Sequence, residues 1–322
     1  MFAPDLKKRL GEALSDGSPF AVIRLPGESP HLIEGFPDSS ELIITGWPGS
    51  SPDCSCIPPE TPRDTYLENI ENLIARLKKR GLSKTVLSRI ITPESSSTDW
   101  IGVAERLWEE FPDCFGYFFF TPTLGAWLGA SPELLLEADA AGRFSTVALA
   151  GTVRADAEWD EKNIVEQRIV ADYIGRLLTD SGASYESDGP HSQLFGKIKH
   201  LVTRFTGTLS DPHSYTALLE RLAPTPALAG FPKEEAINDI AELETHSRGC
   251  YGGYITVKGA RTVSFVVIRC VHFNPATSEA AVYVGGGITP DSVPTIEEEE
   301  TRSKAEVLCR IIKSNQIAPD SL

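Results

Sequence analysis

The 322-residue chain reads as an α+β protein in which two stacked, mainly antiparallel β-sheets are flanked by helices. Three observations predict this. Short runs rich in Val, Ile and Phe follow one another in groups, helical stretches are inserted between those groups with few βαβ alternations, and no repeat period or low-complexity tract interrupts them. With 41% hydrophobic residues the chain has enough apolar side chains for a sizeable core. The whole of 1–322 is taken as one domain, with its core over 61–322 and a shortened set of strands and a loop over 1–60.

The elements follow in order. The opening MFAPDLKKRLGEAL is a short amphipathic helix. Residues 20–25 and 41–46 are β-type runs bounded by Pro and Gly, and the Pro-, Ser- and Cys-rich stretch 48–62 is a mobile loop. A helix over 61–80 has Pro62 at its start and Gly81 as its stop, and Lys84 stands at the entrance of a strand over 85–91. A helix over 99–111 leads to the aromatic strand from Phe115, a strand over 126–129, and a hairpin-like pair over 134–138 and 144–150. Helices over 159–181, 215–222 and 233–244 come next, the last two separated by a proline-stiffened loop. In the first of them Val165, Ile169 and Tyr173 can line a core face, with Glu166 one position off it. Strands over 254–257, 262–273 and 280–284 close on a final helix over 296–314.

Charge and cysteine usage exclude several classes. A net charge of −15 without a Lys/Arg-rich stretch lacks the footprint of a nucleic-acid binder. No segment approaches a membrane span or a signal-peptide core, so a cytoplasmic protein without membrane attachment is expected. Cys54, Cys56, Cys114, Cys250, Cys270 and Cys309 read as reduced thiols, mostly core fillers, because neither they nor the six histidines show zinc-ligand spacing. No exposed apolar heptad is evident, and the expected state is a monomer or weak homodimer.

The segment most suggestive of chemistry is YVGGGITPDSVPTIEEEETRSK, from Tyr283 to Lys304. Three successive glycines permit positive φ and close approach of backbone N–H groups to an anion. Beyond Pro294, Glu297, Glu300 and Lys304 fall at i, i+3 and i+7 of a helix and share a face. They could favour the helix dipole in solvent, or, with a second acidic helix, hold a hard divalent cation. Glu166 lies on such a helix. Arg269 sits in the apolar run VVIRCVH and needs an anionic partner, either an internal carboxylate or a ligand. Lys84 is either a solvated strand-end lysine or a general base beside the carboxylates. Glu133 follows Ser131 and Pro132 and precedes three leucines, a setting that can desolvate its carboxyl and make it a general acid.

Taken together, the order and surroundings of these residues resemble the chorismate-binding enzyme family. The resemblance rests on KTVLSR from Lys84, LGASPELLL from Leu128, ALAGT from Ala148, Glu166 in its helix, KIKHL from Lys197, PTPALAG from Pro224, RGCYGG from Arg248, Ile268 with Arg269 and Cys270, and VGGGI from Val284 through Lys304. It covers the chain from about residue 61 onward and leaves 1–60 without a match.

The resemblance implies chorismate as the small-molecule substrate and Mg²⁺ as the cofactor. It places the cation on Glu166 and Glu300 with Glu297 nearby. Arg269 and Tyr251 would take the enolpyruvyl carboxylate, and Gly151, Thr152, His200, Ala227, Leu228, Ile268, Gly285 and Lys304 would line the pocket. The ammonia-using branches of the family usually carry glutamine at the position of Lys84, or a nucleophilic lysine at that of Ala150, so both are disfavoured. The implied reaction is isomerisation of chorismate to isochorismate, with Lys84 activating water and Glu133 protonating the departing hydroxyl. Salicylate synthase, which adds pyruvate elimination, is the alternative. Isochorismate serves menaquinone, siderophore and salicylate routes, and a chain without an appended domain leans toward menaquinone. One departure stands out: many relatives have a histidine where this chain has Gln167, followed here by Arg168, which would alter the surroundings of the metal.

Overall fold

The structure is a computed structural model that describes residues 1–51, 55–81, 83–195 and 198–317. Its strands are β1 (Phe20–Arg24), β2 (His31–Leu32), β3 (Leu42–Thr45), β4 (Lys84–Ile91), β5 (Phe115–Thr121), β6 (Gly125–Ser131), β7 (Leu134–Asp139), β8 (Arg143–Arg154), β9 (Ser184–Phe195), β10 (Ile198–Thr208), β11 (Gly230–Phe231), β12 (Tyr254–Lys258), β13 (Arg261–Val266), β14 (Cys270–Phe273) and β15 (Ala280–Ile288). Its helices are α1 (Pro4–Asp16), α2 (Arg63–Arg80), α3 (Trp100–Glu110), α4 (Glu161–Asp180), α5 (Tyr215–Leu222), α6 (Lys233–Leu243) and α7 (Pro294–Ser314).

The strands form two sheets, ordered β11-β4-β15-β14-β6-β5-β1-β2 and β3-β12-β13-β7-β8-β10-β9. The α+β expectation of two antiparallel sheets therefore holds. Their inner faces share one core, in which Phe115 of the first sheet stacks on Phe265 of the second with ring centroids 4.6 Å apart. A second cluster buries Trp100, Leu107, Leu308 and Ile312 of α3 and α7 against Phe118 and Val271. A third packs Ile70, Leu73 and Leu77 of α2 on Leu87 and Ile288. The helix signals in the sequence act as expected: Asp160 caps α4 by accepting from Asn163 N at 2.8 Å, Gly81 ends α2 at φ 66°, and Pro294 opens α7.

Four expectations need correction. The long strands β9 and β10 were not foreseen, because β9 is a polar edge strand without apolar alternation. The single strand expected over 262–273 is two: β13 and β14 belong to different sheets, and the chain passes between them at Arg269, whose φ is 52°. The buried stripe of α4 is Asn163, Gln167, Val170, Ile174 and Leu178, while Val165 faces solvent. Polar Asn163 and Gln167 obscure that stripe in the sequence, being satisfied by Asp160, Thr152 N and Thr203. Finally, Gly285, Gly286 and Gly287 lie inside β15 and none has positive φ. Residues 52–54 of the loop expected to be mobile, including Cys54, and Lys197 lie outside the described residues. Cys114, Cys250 and Cys270 are buried.

Candidate active site

The triglycine acts by omission of side chains. Gly287 of β15 faces Lys84 and Glu166, and a Cβ there would overlap Glu166 Oε1 and come within 2.7 Å of Lys84 Cε. At Gly285 a Cβ would come within 2.8 Å of the Tyr251 hydroxyl. The space so cleared is part of a cleft that opens to solvent. Its walls include Glu133, Gly151, Thr152, Glu166, His200, Ala227, Leu228, Tyr251, Ile268, Arg269, Gly285 and Lys304. Lys84, Glu297 and Glu300 are not in that lining; Lys84 and Glu300 connect to it through ion pairs with Glu166 and Lys304.

Lys84 is fully buried, so it is not a solvated strand-end residue. Its Nζ lies 2.7 Å from Glu166 Oε1, an ionic contact whose angle falls short of a good hydrogen bond. Glu133 is 2% exposed and accepts a 3.4 Å hydrogen bond from Thr225 Oγ1. Burial pushes its carboxyl up to about 8 against the pull of Lys84 and Thr225, so it is mostly protonated at neutral pH.

Arg269 is half-buried and forms no ion pair with a carboxylate among the described residues, so the internal salt bridge considered from sequence is absent. Its Nη2 donates to His200 Nε2 at 3.0 Å. Because guanidinium is always a donor, His200 carries its proton on Nδ1, which faces Thr152 Oγ1 at 3.0 Å and Gly151 O at 3.2 Å. Burial, reinforced by the charges of Arg269 and Lys304, holds His200 well below the usual histidine range. Buried Arg248 braces the far wall: it donates to Leu228 O at 2.9 Å and Val86 O at 2.8 Å, pairs with Glu244 and packs over the rings of Trp47 and Tyr251.

Three carboxylates meet three lysines around the ends of α4 and α7. Lys84 pairs with Glu166 at 2.7 Å, Lys162 with Glu297 at 2.6 Å and Lys304 with Glu300 at 2.6 Å. Burial works to raise the Glu166 carboxyl, but Lys84 and Lys162 outweigh it and hold it below the ordinary value. Burial and Glu300 push Glu297 upward against the pull of Lys162. Among the described residues no three His, Cys, Asp or Glu side chains already converge as a metal cage. The donor set nevertheless suits a hard divalent cation: it is all oxygen, and buried Glu297 Oε2 accepts no hydrogen bond of normal geometry. Gln167 takes no part in it, since its Nε2 donates to Thr203 Oγ1 at 2.7 Å.

Sequence reasoning missed Lys162, Thr225 and the bracing role of Arg248. Lys162 had a usable signal: it lies one helical turn before Glu166 on the same face of α4. Thr225 had none, because its contact with Glu133 joins residues remote in sequence.

The chain is similar to known proteins in sequence and in fold. Isochorismate synthase MenF of Bacillus subtilis is 31% identical over 263 residues, which are 76% of this chain and 55% of that protein. Isochorismate synthase EntC of Escherichia coli is 30% identical over 271 residues, 79% of this chain and 68% of that protein. The chain thus spans little more than half of the first relative and about two thirds of the second. The solved structure of MenF, the menaquinone-specific isochorismate synthase from Escherichia coli, superposes with a TM-score of 0.70 at 23% identity, covering 80% of this chain and 63% of that one, a likeness of fold. Among the described residues no helix is long and apolar enough to cross a membrane. The profile described as chorismate binding enzyme matches residues 50–313, so the chain belongs to the chorismate-binding enzyme family.

Proposed function

We propose that this protein is an Mg²⁺-dependent isochorismate synthase. The observation that carries the reading is that the cleft wall holds a protonated, buried Glu133 and also Glu166, the ion-pair partner of buried Lys84, so that an acid candidate and a base candidate flank one pocket. Lys84, once the ammonium proton it carries in its ion pair with Glu166 has passed to solvent, takes a proton from water, whose oxygen bonds to C2 of the ring. The ring double bond shifts, the C4–O bond breaks, and the Glu133 proton leaves with the hydroxyl as water. One water enters and one departs, so the product is an isomer. Arg269 and Tyr251 seat the enolpyruvyl carboxylate, the half-buried guanidinium gaining a carboxylate partner. Glu166, Glu297 and Glu300 are the residues that would hold Mg²⁺, which when bound neutralises and orients the ring carboxylate. The names of the relatives MenF and EntC support the same activity.

Purified protein incubated with chorismate and Mg²⁺, with no ammonia source, should form isochorismate, identified by chromatography and mass spectrometry. Salicylate with pyruvate would replace the reading by salicylate synthase, and unchanged chorismate would reject both.

A further inference from the structure

Lys162 has no role in the proposed reaction, yet it is bound into the carboxylate set. Its Nζ is 2.6 Å from Glu297 Oε1, and its stem rises from α4 one turn before Glu166. Lys84 and Lys304 also pair with carboxylates, but each has other work: Lys84 is the base of the proposed reaction, and Lys304 lines the cleft and donates to Gly285 O at 2.9 Å. Lys162 is left with the carboxylates alone.

Charge counting gives this a consequence. Three carboxylates and three ammonium groups leave the site near neutrality without any metal. A divalent cation entering alone would meet excess positive charge and a ligand, Glu297 Oε1, already occupied. We infer that Lys162 is a built-in counter-cation of the carboxylate set, which suppresses binding of divalent metal to the substrate-free protein and must release Glu297 for the metal to take it. This rests on the proposed metal-dependent reading. In that reading the metal and the dicarboxylate substrate carry opposite double charges, and they enter the site favourably as a pair.

The test is metal binding without substrate. Mn²⁺ is titrated into the full chain and free Mn²⁺ is read by electron paramagnetic resonance, for wild type, Lys162→Met, Lys162→Arg and Glu297→Gln. Removing a unit charge a few ångström from a ligand should tighten Mn²⁺ binding by about tenfold or more in Lys162→Met, while Lys162→Arg stays close to wild type. Adding chorismate should tighten wild type more than it tightens Lys162→Met. Lys162→Gln provides the same contrast, and melting curves establish that each variant is folded. Unchanged or weaker Mn²⁺ binding in Lys162→Met and Lys162→Gln, with Glu297→Gln clearly weakened, overturns the inference and leaves the metal reading standing. Binding indifferent to Glu297→Gln as well overturns both.

Discussion

Arg269 and His200 form a hydrogen bond of 3.0 Å in which only one direction of donation is possible, from guanidinium to imidazole Nε2. The histidine is therefore a neutral prop that turns the arginine toward the cleft, and its own Nδ1–H is spent on Gly151 O and Thr152 Oγ1. Arg269→Lys keeps the charge and loses the fork. It should raise KM for chorismate by about tenfold or more with a smaller change in kcat, as measured by steady-state kinetics. The His200 imidazole should show no titration between pH 6 and 8 by NMR, because burial and the charges of Arg269 and Lys304 hold it well below the usual histidine range.

Lys84→Ala and Glu133→Gln should each lower kcat by about 10²- to 10⁴-fold, the usual worth of a positioned acid or base. Normal turnover in either variant would remove that residue from the chemistry. In wild type the rate should fall as pH rises through about 8, where Glu133 loses its proton.

The same carboxyl links stability to pH. Its folded value of about 8 exceeds the ordinary 4.5, so the native state holds a proton that the unfolded chain gives up. Native stability therefore declines across the window between those two values, and no part of this term remains to be lost above it. Glu133→Gln lacks the term. Its melting temperature should gain on wild type as pH is raised from 5 to 8, a trend that calorimetry can follow.

Gly287→Ala should leave the fold intact, because the atoms its Cβ meets are the ends of the Glu166 and Lys84 side chains. Displacing them should lower turnover on the order of 10²-fold. Gly230→Ala is the contrasting case: φ is +132° and a Cβ would overlap Lys84 O and lie 2.7 Å from Thr85 Cα, both fixed backbone. It should cost about 1–3 kcal/mol of stability in denaturant unfolding.

Glu300→Gln should raise the Mg²⁺ concentration for half-maximal activity by roughly 10- to 100-fold. An unchanged midpoint would place the cation elsewhere.

Much of this site was legible because charged residues stood in apolar surroundings. Arg269 stood out by the apolar side chains around it, whereas Lys84 and Glu133 were weak signals taken alone and gained weight from the resemblance of the ordered motifs to the family; the elements carrying them follow hydrophobic period and Gly/Pro punctuation. What escaped depends on contacts across the fold. β9 was illegible because an edge strand carries little apolar alternation, and the phase of α4 was misread because Asn163 and Gln167 occupy core positions as satisfied polar groups. The role of the glycines was also read in the wrong sense, since a run of Gly does not tell a turn from a strand whose side chains have been removed to make room.

The passage of the chain from β13 to β14 carries a mechanical implication. One left-handed residue, Arg269, lies where the chain passes between the two sheets, and it is also the proposed seat for the substrate's carboxylate. Load placed on that guanidinium is transmitted to both sheets at once, so an occupied cleft is a brace across the interior. Ligand should thus slow amide exchange in β13 and β14 together, although they belong to different sheets.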